Sequence, residues 1–117
     1  MSSSITRFAV GRRLSEMAIH NGTIYLAGQV AEDTAADITG QTQQVLAAID
    51  KLLGEAGSDK SKILSTTIYI TDMANFPAMN LVWDAWVVQG HTPPRTTLQA
   101  NLARAEFLVE MQVIAAQ

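Results

Sequence analysis

The sequence predicts an α+β fold in which a single mixed β-sheet carries two α-helices packed on one face. Three observations predict it. Two segments place apolar residues at helical spacing, and each has one apolar stripe. The segments around them are dense in β-branched residues or alternate apolar with polar residues. Between two of these extended segments stands Asn21-Gly22, the strongest short signal for a type I′ hairpin turn, because both central residues must accept positive φ. Helices with one stripe each, joined through strands, are most simply placed on the same side of the sheet, which leaves the other face in need of cover.

The elements follow in order. Ile5 to Val10 is a short extended segment, and Met17 to His20 with Thr23 to Val30 reads as the hairpin. Asp37 can cap a helix in which Ile38, Val45, Ile49, Leu52, Leu53 and Ala56 share a face, and Gly57 supplies a left-handed stop. Ile63 to Asp72 is rich in Ile and Thr and reads as a strand. Asn75 is the expected cap of the second helix, with Pro77 tolerated in its first turn; Phe76, Met79, Trp83, Trp86 and Val87 form its stripe, and Gly90 ends it. After His91-Thr92-Pro93-Pro94, the segments Arg95 to Ala100 and Phe107 to Ala115 are the last two strands. No repeat, low-complexity run or linker interrupts the chain, so residues 1–117 are expected to form one domain.

Composition excludes several functions. A chain of 117 residues with 48% hydrophobic content can bury one core, and the absence of cysteine removes disulfides, thiolate metal sites and a cysteine nucleophile. Residues 1–5 show no basic region leading into an apolar run, and no apolar stretch approaches bilayer-spanning length, so a cytoplasmic protein with no membrane partner is expected. Asn21-Gly22-Thr23 matches a glycosylation sequon but reads as the hairpin turn. Eight Lys and Arg against eleven Asp and Glu give a net charge of −3, and the basic residues are scattered, so no nucleic-acid partner is expected. Low charge with positive mean hydropathy points to a monomer surface covered by copies of itself. His20 and His91 lack a second ligand at metal-binding spacing, and no metal is assigned. Gly11-Arg12-Arg13 and Gly54-Glu55-Ala56-Gly57 lack the glycine spacing of a phosphate loop.

One constellation could carry chemistry. Alternation places Arg95, Thr97 and Gln99 on one face of the penultimate strand. If the last two strands form a hairpin about their connection, Thr97 faces Glu110 and Arg95 becomes its diagonal neighbour on the sheet face away from the helices. On pattern alone, an ordinary cross-strand ion pair is the stronger account of Arg95 and Glu110.

Four stretches shift that balance: Thr23 to Gln29; Asp72-Met73-Ala74-Asn75-Phe76-Pro77-Ala78-Met79-Asn80; His91-Thr92-Pro93-Pro94-Arg95-Thr96-Thr97-Leu98; and Val109-Glu110-Met111-Gln112-Val113-Ile114-Ala115. Together, in order and along nearly the full chain, they resemble the Rid (YjgF, RutC-like) family of enamine/imine deaminases. The resemblance implies a chorismate-mutase-like fold and a homotrimer closed into a barrel, with active sites in the clefts between subunits. The implied reaction is hydrolytic deamination of reactive 2-imino or 2-enamino acids to 2-oxo acids and ammonia, a protection against metabolite damage that needs no cofactor. Arg95 matches the family's signature arginine and is implied to hold the substrate carboxylate through paired hydrogen bonds. Glu110 matches the glutamate implied to hold the attacking water and act as general base.

Thr97, where many relatives have cysteine, Gly28 in Ala27-Gly28-Gln29, and Asn80 in the second helix are the implied further substrate-binding residues. Each has a bland reading: a strand residue, a close-packing glycine, a side chain satisfying backbone groups. The chain departs from the family near its start, where Gly11-Arg12-Arg13-Leu14 replaces a Gly-Pro-Tyr, so Arg13 would stand where relatives place a tyrosine. Trp83-Asp84-Ala85-Trp86 resembles a divergent bacterial subgroup. Two alternatives stay open: a non-catalytic module binding a small carboxylate metabolite in the same cleft, and a ribonuclease, against which the acidic balance counts.

Overall fold

At the Asn21-Gly22 turn both residues take positive φ, 51° and 78°, and this joins β2 (Ser15–His20) to β3 (Thr23–Leu26) in the expected hairpin. The computed structural model describes residues 4–117. Around the hairpin stand β1 (Thr6–Val10), α1 (Ile38–Glu55), β4 (Ile63–Ile70), α2 (Phe76–Trp86), β5 (Arg95–Gln99) and β6 (Val109–Ala116). The six strands form one mixed sheet in the order β1-β2-β3-β6-β4-β5. The core lies between its inner face and the two helices, as predicted.

Local chemistry accounts for the helix ends. The Asp37 side chain accepts from the Gly40 amide at 2.9 Å and caps α1. At the other end Gly57 takes φ 76°, and the Ser58 amide reaches back to the Leu53 carbonyl at 2.8 Å, a Schellman-type stop. The start of α2 differs from expectation: Asn75 makes no side-chain cap bond. Asp72 instead accepts from the Ala74 amide at 2.9 Å and winds a short 3-10 turn, Met73–Asn75, that leads into the helix. That turn also ends β4 at Ile70, two residues earlier than predicted. The helix closes at Trp86, and Gly90, at φ 84°, belongs to the turn beyond it.

The principal correction concerns the last two strands. They do not form a hairpin. β5 pairs with β4 in parallel, Arg95 against Thr66 and Thr97 against Ile68, while β6 runs antiparallel on the other side of β4, with Val109 against Ile70 and Glu110 against Tyr69. A parallel pair needs a crossover, which α2 supplies as the helix of a β4-α2-β5 unit. Burial explains the choice. β6 presents Val109, Met111, Val113 and Ala115, all fully buried, and belongs at the sheet's centre, whereas β5 contains no fully buried residue and suits an edge. At the opposite edge β1 is interrupted: Ala9 takes φ 49°, and the ladder to β2 resumes only at Val10.

One polar side chain ties the helix layer to the loops. Gln41 of α1, 0% exposed, donates through Nε2 to the carbonyls of Thr34, Ala36 and Glu106, and its Oε1 accepts from the Leu108 amide at 3.0 Å. It thereby anchors the connection that leads into β6. Gln41→Leu keeps the volume but leaves these buried backbone groups unpaired, and a loss of about 3 kcal/mol in stability is expected in chemical denaturation.

Candidate active site

Arg95 opens β5 directly after Pro93-Pro94, and the Pro94 carbonyl already accepts from the Thr66 amide of β4 at 3.1 Å. The arginine's position is therefore set before the strand begins. Its register neighbours Thr66 and Val113 lie on the helix-covered face, and its side chain turns under α2. There its guanidinium carbon stands 5.2 Å from the centre of the Trp83 ring and 5.7 Å from that of Phe76. Among the described residues Arg95 has no acidic partner; the ion pair present is Arg104–Glu106 at 3.1 Å.

Asn80 lies four residues after Phe76 and three before Trp83, so helical spacing puts it in the same stripe. Its Oδ1 is buried without a hydrogen-bond partner, and so are the hydroxyls of Thr97 and Thr66 on the strands below. Buried polar atoms are normally paired, so three orphans on the strands and helix that flank Arg95 set this region apart from the rest of the core.

Glu110 sits on the opposite, open face, across from Tyr69. It borders a cavity of about 370 Å³ lined by Gly28, Tyr69, Asn101, Leu102 and Gln112. Neither an ion pair nor a hydrogen bond among the described residues engages its carboxylate. Gly28 makes room for it: a Cβ on Gly28 would lie 2.8 Å from the Glu110 Cδ and closer still to Oε2. The contact is held by the backbone bridge of the next residue, in which the Gln29 amide donates to the Met111 carbonyl at 2.8 Å and the Met111 amide donates back to the Gln29 carbonyl at 3.1 Å. Gln29 is fixed in turn by its Nε2, which donates to Glu16 at 3.2 Å and to the Ala27 carbonyl at 3.0 Å.

The sequence-predicted residues thus fall into two groups. Arg95, Thr97 and Asn80 gather under α2; Gly28 and Glu110 gather on the open face. The expected convergence of Arg95, Thr97 and Glu110 on one face is overturned, and with it the diagonal ion pair. β4 lies between their strands, and the register offsets them by the step from Thr66 to Tyr69. That amounts to about 10 Å across the sheet and about 10 Å along it, with the side chains on opposite faces. Arg13 lies exposed in the turn between β1 and β2 and joins neither group within the chain. Asp59, in the exposed turn before β4, has its carboxyl held below the usual range by hydrogen bonds from the Ser61 side chain and amide, and it contributes to neither group. Trp83 and Phe76, read from sequence as core stripe, prove also to contact the arginine; an aromatic pair seven residues apart facing a strand's first residue was the available signal.

Residues 4–117 match the family model described as Endoribonuclease L-PSP. A RutC family protein from Haemophilus ducreyi is 47% identical over 112 residues, covering 96% of each chain. The RutC family protein YoaB of Escherichia coli is 46% identical over 113 residues, 97% of this chain and 98% of its own. The chain belongs to the YjgF/Rid family. Its fold agrees with the family's solved structures. A YjgF family member from Neisseria meningitidis superposes with a TM-score of 0.96 at 43% identity, over 98% of this chain and 96% of that one. A Rid family member from Yersinia pestis does so with a TM-score of 0.88 at 32% identity, over 97% and 100%.

In this family member the Gly28–Glu110 contact makes a direct prediction. Gly28→Ala is expected to leave the fold intact while swinging the Glu110 carboxylate away from the 27–29 turn, with a shift of about 1 Å or more visible in a crystal structure of the variant. A carboxylate left in place would contradict the assigned contact.

Proposed function

We propose that this protein hydrolyses reactive 2-imino or 2-enamino acids to 2-oxo acids and ammonia. The observation that carries the reading is the Arg95 guanidinium, which has no acidic partner among the described residues and lies among unpaired buried polar atoms. Such a group is ready to receive a carboxylate in its own plane through two charge-assisted hydrogen bonds. The unpaired Asn80 Oδ1 and Thr97 hydroxyl are suited to the substrate's nitrogen or small side chain.

Glu110 supplies the proton chemistry. With its carboxylate removing a proton, water adds to C2 of the protonated imine and forms a carbinolamine. Glu110 returns that proton to nitrogen and then accepts the hydroxyl proton as the C2–N bond breaks. It passes that last proton to the departing ammonia, so that ammonium and the 2-oxo acid leave and the carboxylate is restored.

Because Arg95 and Glu110 face opposite sides of the sheet, the two can act on one molecule only if they come from different chains. We therefore place the site between subunits, with the open sheet face, where Tyr25 is 46% and Leu98 39% exposed, covered by neighbouring copies in a homotrimer. The organisation into one domain over residues 1–117 and a cytoplasmic setting complete this reading. A small-carboxylate binding module would use the same arginine without turnover. The ribonuclease activity named in the family model's description finds little support in a net charge of −3 with scattered basic residues.

The test is hydrolysis of 2-iminobutanoate and 2-iminopropanoate generated in situ. Arg95→Ala is expected to stay folded and to lose about 10²- to 10³-fold in kcat/KM, the worth of a paired charge-assisted contact. Saturable carboxylate binding without turnover would favour the binding module, and salt-sensitive RNA cleavage would favour the nuclease.

A second expectation concerns sharing. Arg95→Ala and Glu110→Gln chains, each inactive alone, should recover about a quarter of wild-type activity when co-assembled at random, because one in four sites then draws both intact residues. A doubly substituted chain mixed with itself recovers nothing. No recovery in the mixed assembly would mean that one chain supplies the whole site.

A further inference from the structure

The arginine's surroundings raise the question of what keeps so long a side chain aimed when no carboxylate holds it. An ion pair would fix the guanidinium but occupy the donors a substrate needs. Aromatic faces fix it differently: they attract the cation through the ring quadrupole and offer no acceptor lone pair, so the in-plane N–H groups stay free. Trp83, 5% exposed and packed in the core, lies 5.2 Å from the guanidinium carbon and is the nearer of the two rings.

The ring is itself braced. Trp86 stands against it with centroids 5.5 Å apart at 47°, and the Trp86 Nε1 donates to Asp50 of α1 at 2.9 Å. The Lys60 ammonium lies 5.2 Å over the outer ring. A continuous series therefore runs from Asp50 on α1, through two indoles on α2, to the arginine on edge strand β5.

We propose that Trp83, braced by Trp86 and Asp50, is the positioning residue that holds Arg95 as a carboxylate receptor. The inference rests on the reading of Arg95 as the carboxylate anchor. It assigns to Trp83 a contribution to substrate affinity, carried entirely through the arginine, and no contact with the reacting atoms.

The chain's two tryptophans, Trp83 and Trp86, make the test optical as well as kinetic. In the assembled protein, titration with butanoate, an unreactive carboxylate, should change the indole emission saturably. The change should persist in Trp86→Phe, where Trp83 is the remaining indole, and fall to a small fraction in Trp83→Phe, where only the outer ring reports. In parallel, Trp83→Leu should raise the KM for 2-iminobutanoate about tenfold with a much smaller effect on kcat, and Trp83→Phe, which keeps a ring, should recover most of that loss.

The dependence on Arg95 separates positioning from simple packing. In an Arg95→Lys background, which keeps the charge but not the planar fork, Trp83→Leu should add little further loss, because the two residues act as a unit. Equal losses in both backgrounds, or an undiminished signal in Trp83→Phe, would overturn the role given to Trp83. If Trp83→Leu does not assemble, Trp83→Phe is compared in the wild-type and Arg95→Lys backgrounds instead, and equal KM changes in the two overturn the role. Butanoate binding that is unchanged in Arg95→Ala would instead remove the carboxylate-anchor reading itself.

Discussion

The parallel pairing of β5 with β4 determines which way the candidate site's side chains point. A strand has a period of two, so its neighbour and register fix the face on which each residue stands. With β6 moved to the far side of β4, Arg95 and Thr97 inherit the helix-covered face from Thr66 and Ile68, while Glu110 inherits the open face from Tyr69. One choice of partner thus separates an acid from a base that a hairpin would have joined. It converts a self-contained ion pair into two unsatisfied groups, each presented at a boundary of the molecule.

That separation has an electrostatic meaning. A cross-strand Arg–Glu pair in water contributes little to stability and neutralises both partners. Kept apart, neither group is neutralised by the other. The guanidinium is compensated by two ring faces, an interaction worth about 0.5–2 kcal/mol that does not consume its donors. The carboxylate is accommodated by the absence of a side chain at Gly28 and not by any partner. Gln29 and Gln41 then spend their own hydrogen bonds on the backbone around these groups, fixing the 27–29 turn and the connection into β6.

Much of the fold was legible in the residues because the local signals were chemical and short-range. Asn21-Gly22, Asp37 and Gly57 act within a few residues of themselves, and each performed the expected task. Strand pairing was not legible in the same way. The connection of residues 101–106 is short enough for a hairpin, and only the difference in burial between Val109–Ala115 and Arg95–Gln99 reveals which strand belongs at the centre. The candidate site residues were named from motif resemblance, and their grouping on one face depended on that pairing, so the structure separates Arg95 and Thr97 from Glu110. The contact of Trp83 with Arg95 was hidden for a related reason. An apolar stripe reads as core from sequence, and the cation above it becomes evident only when the edge strand is in place.

Ala9 has a consequence for the opposite edge. β1 exposes one side of its backbone to solvent, and an uninterrupted row of free amides and carbonyls there would serve as a template for another molecule's strand. The left-handed backbone at Ala9, the strand's fourth residue, interrupts that row between Phe8 and Val10. A sheet growing from this edge would find no continuous ladder to extend. The small local strain of a non-glycine residue at positive φ thereby works against edge-to-edge pairing along β1.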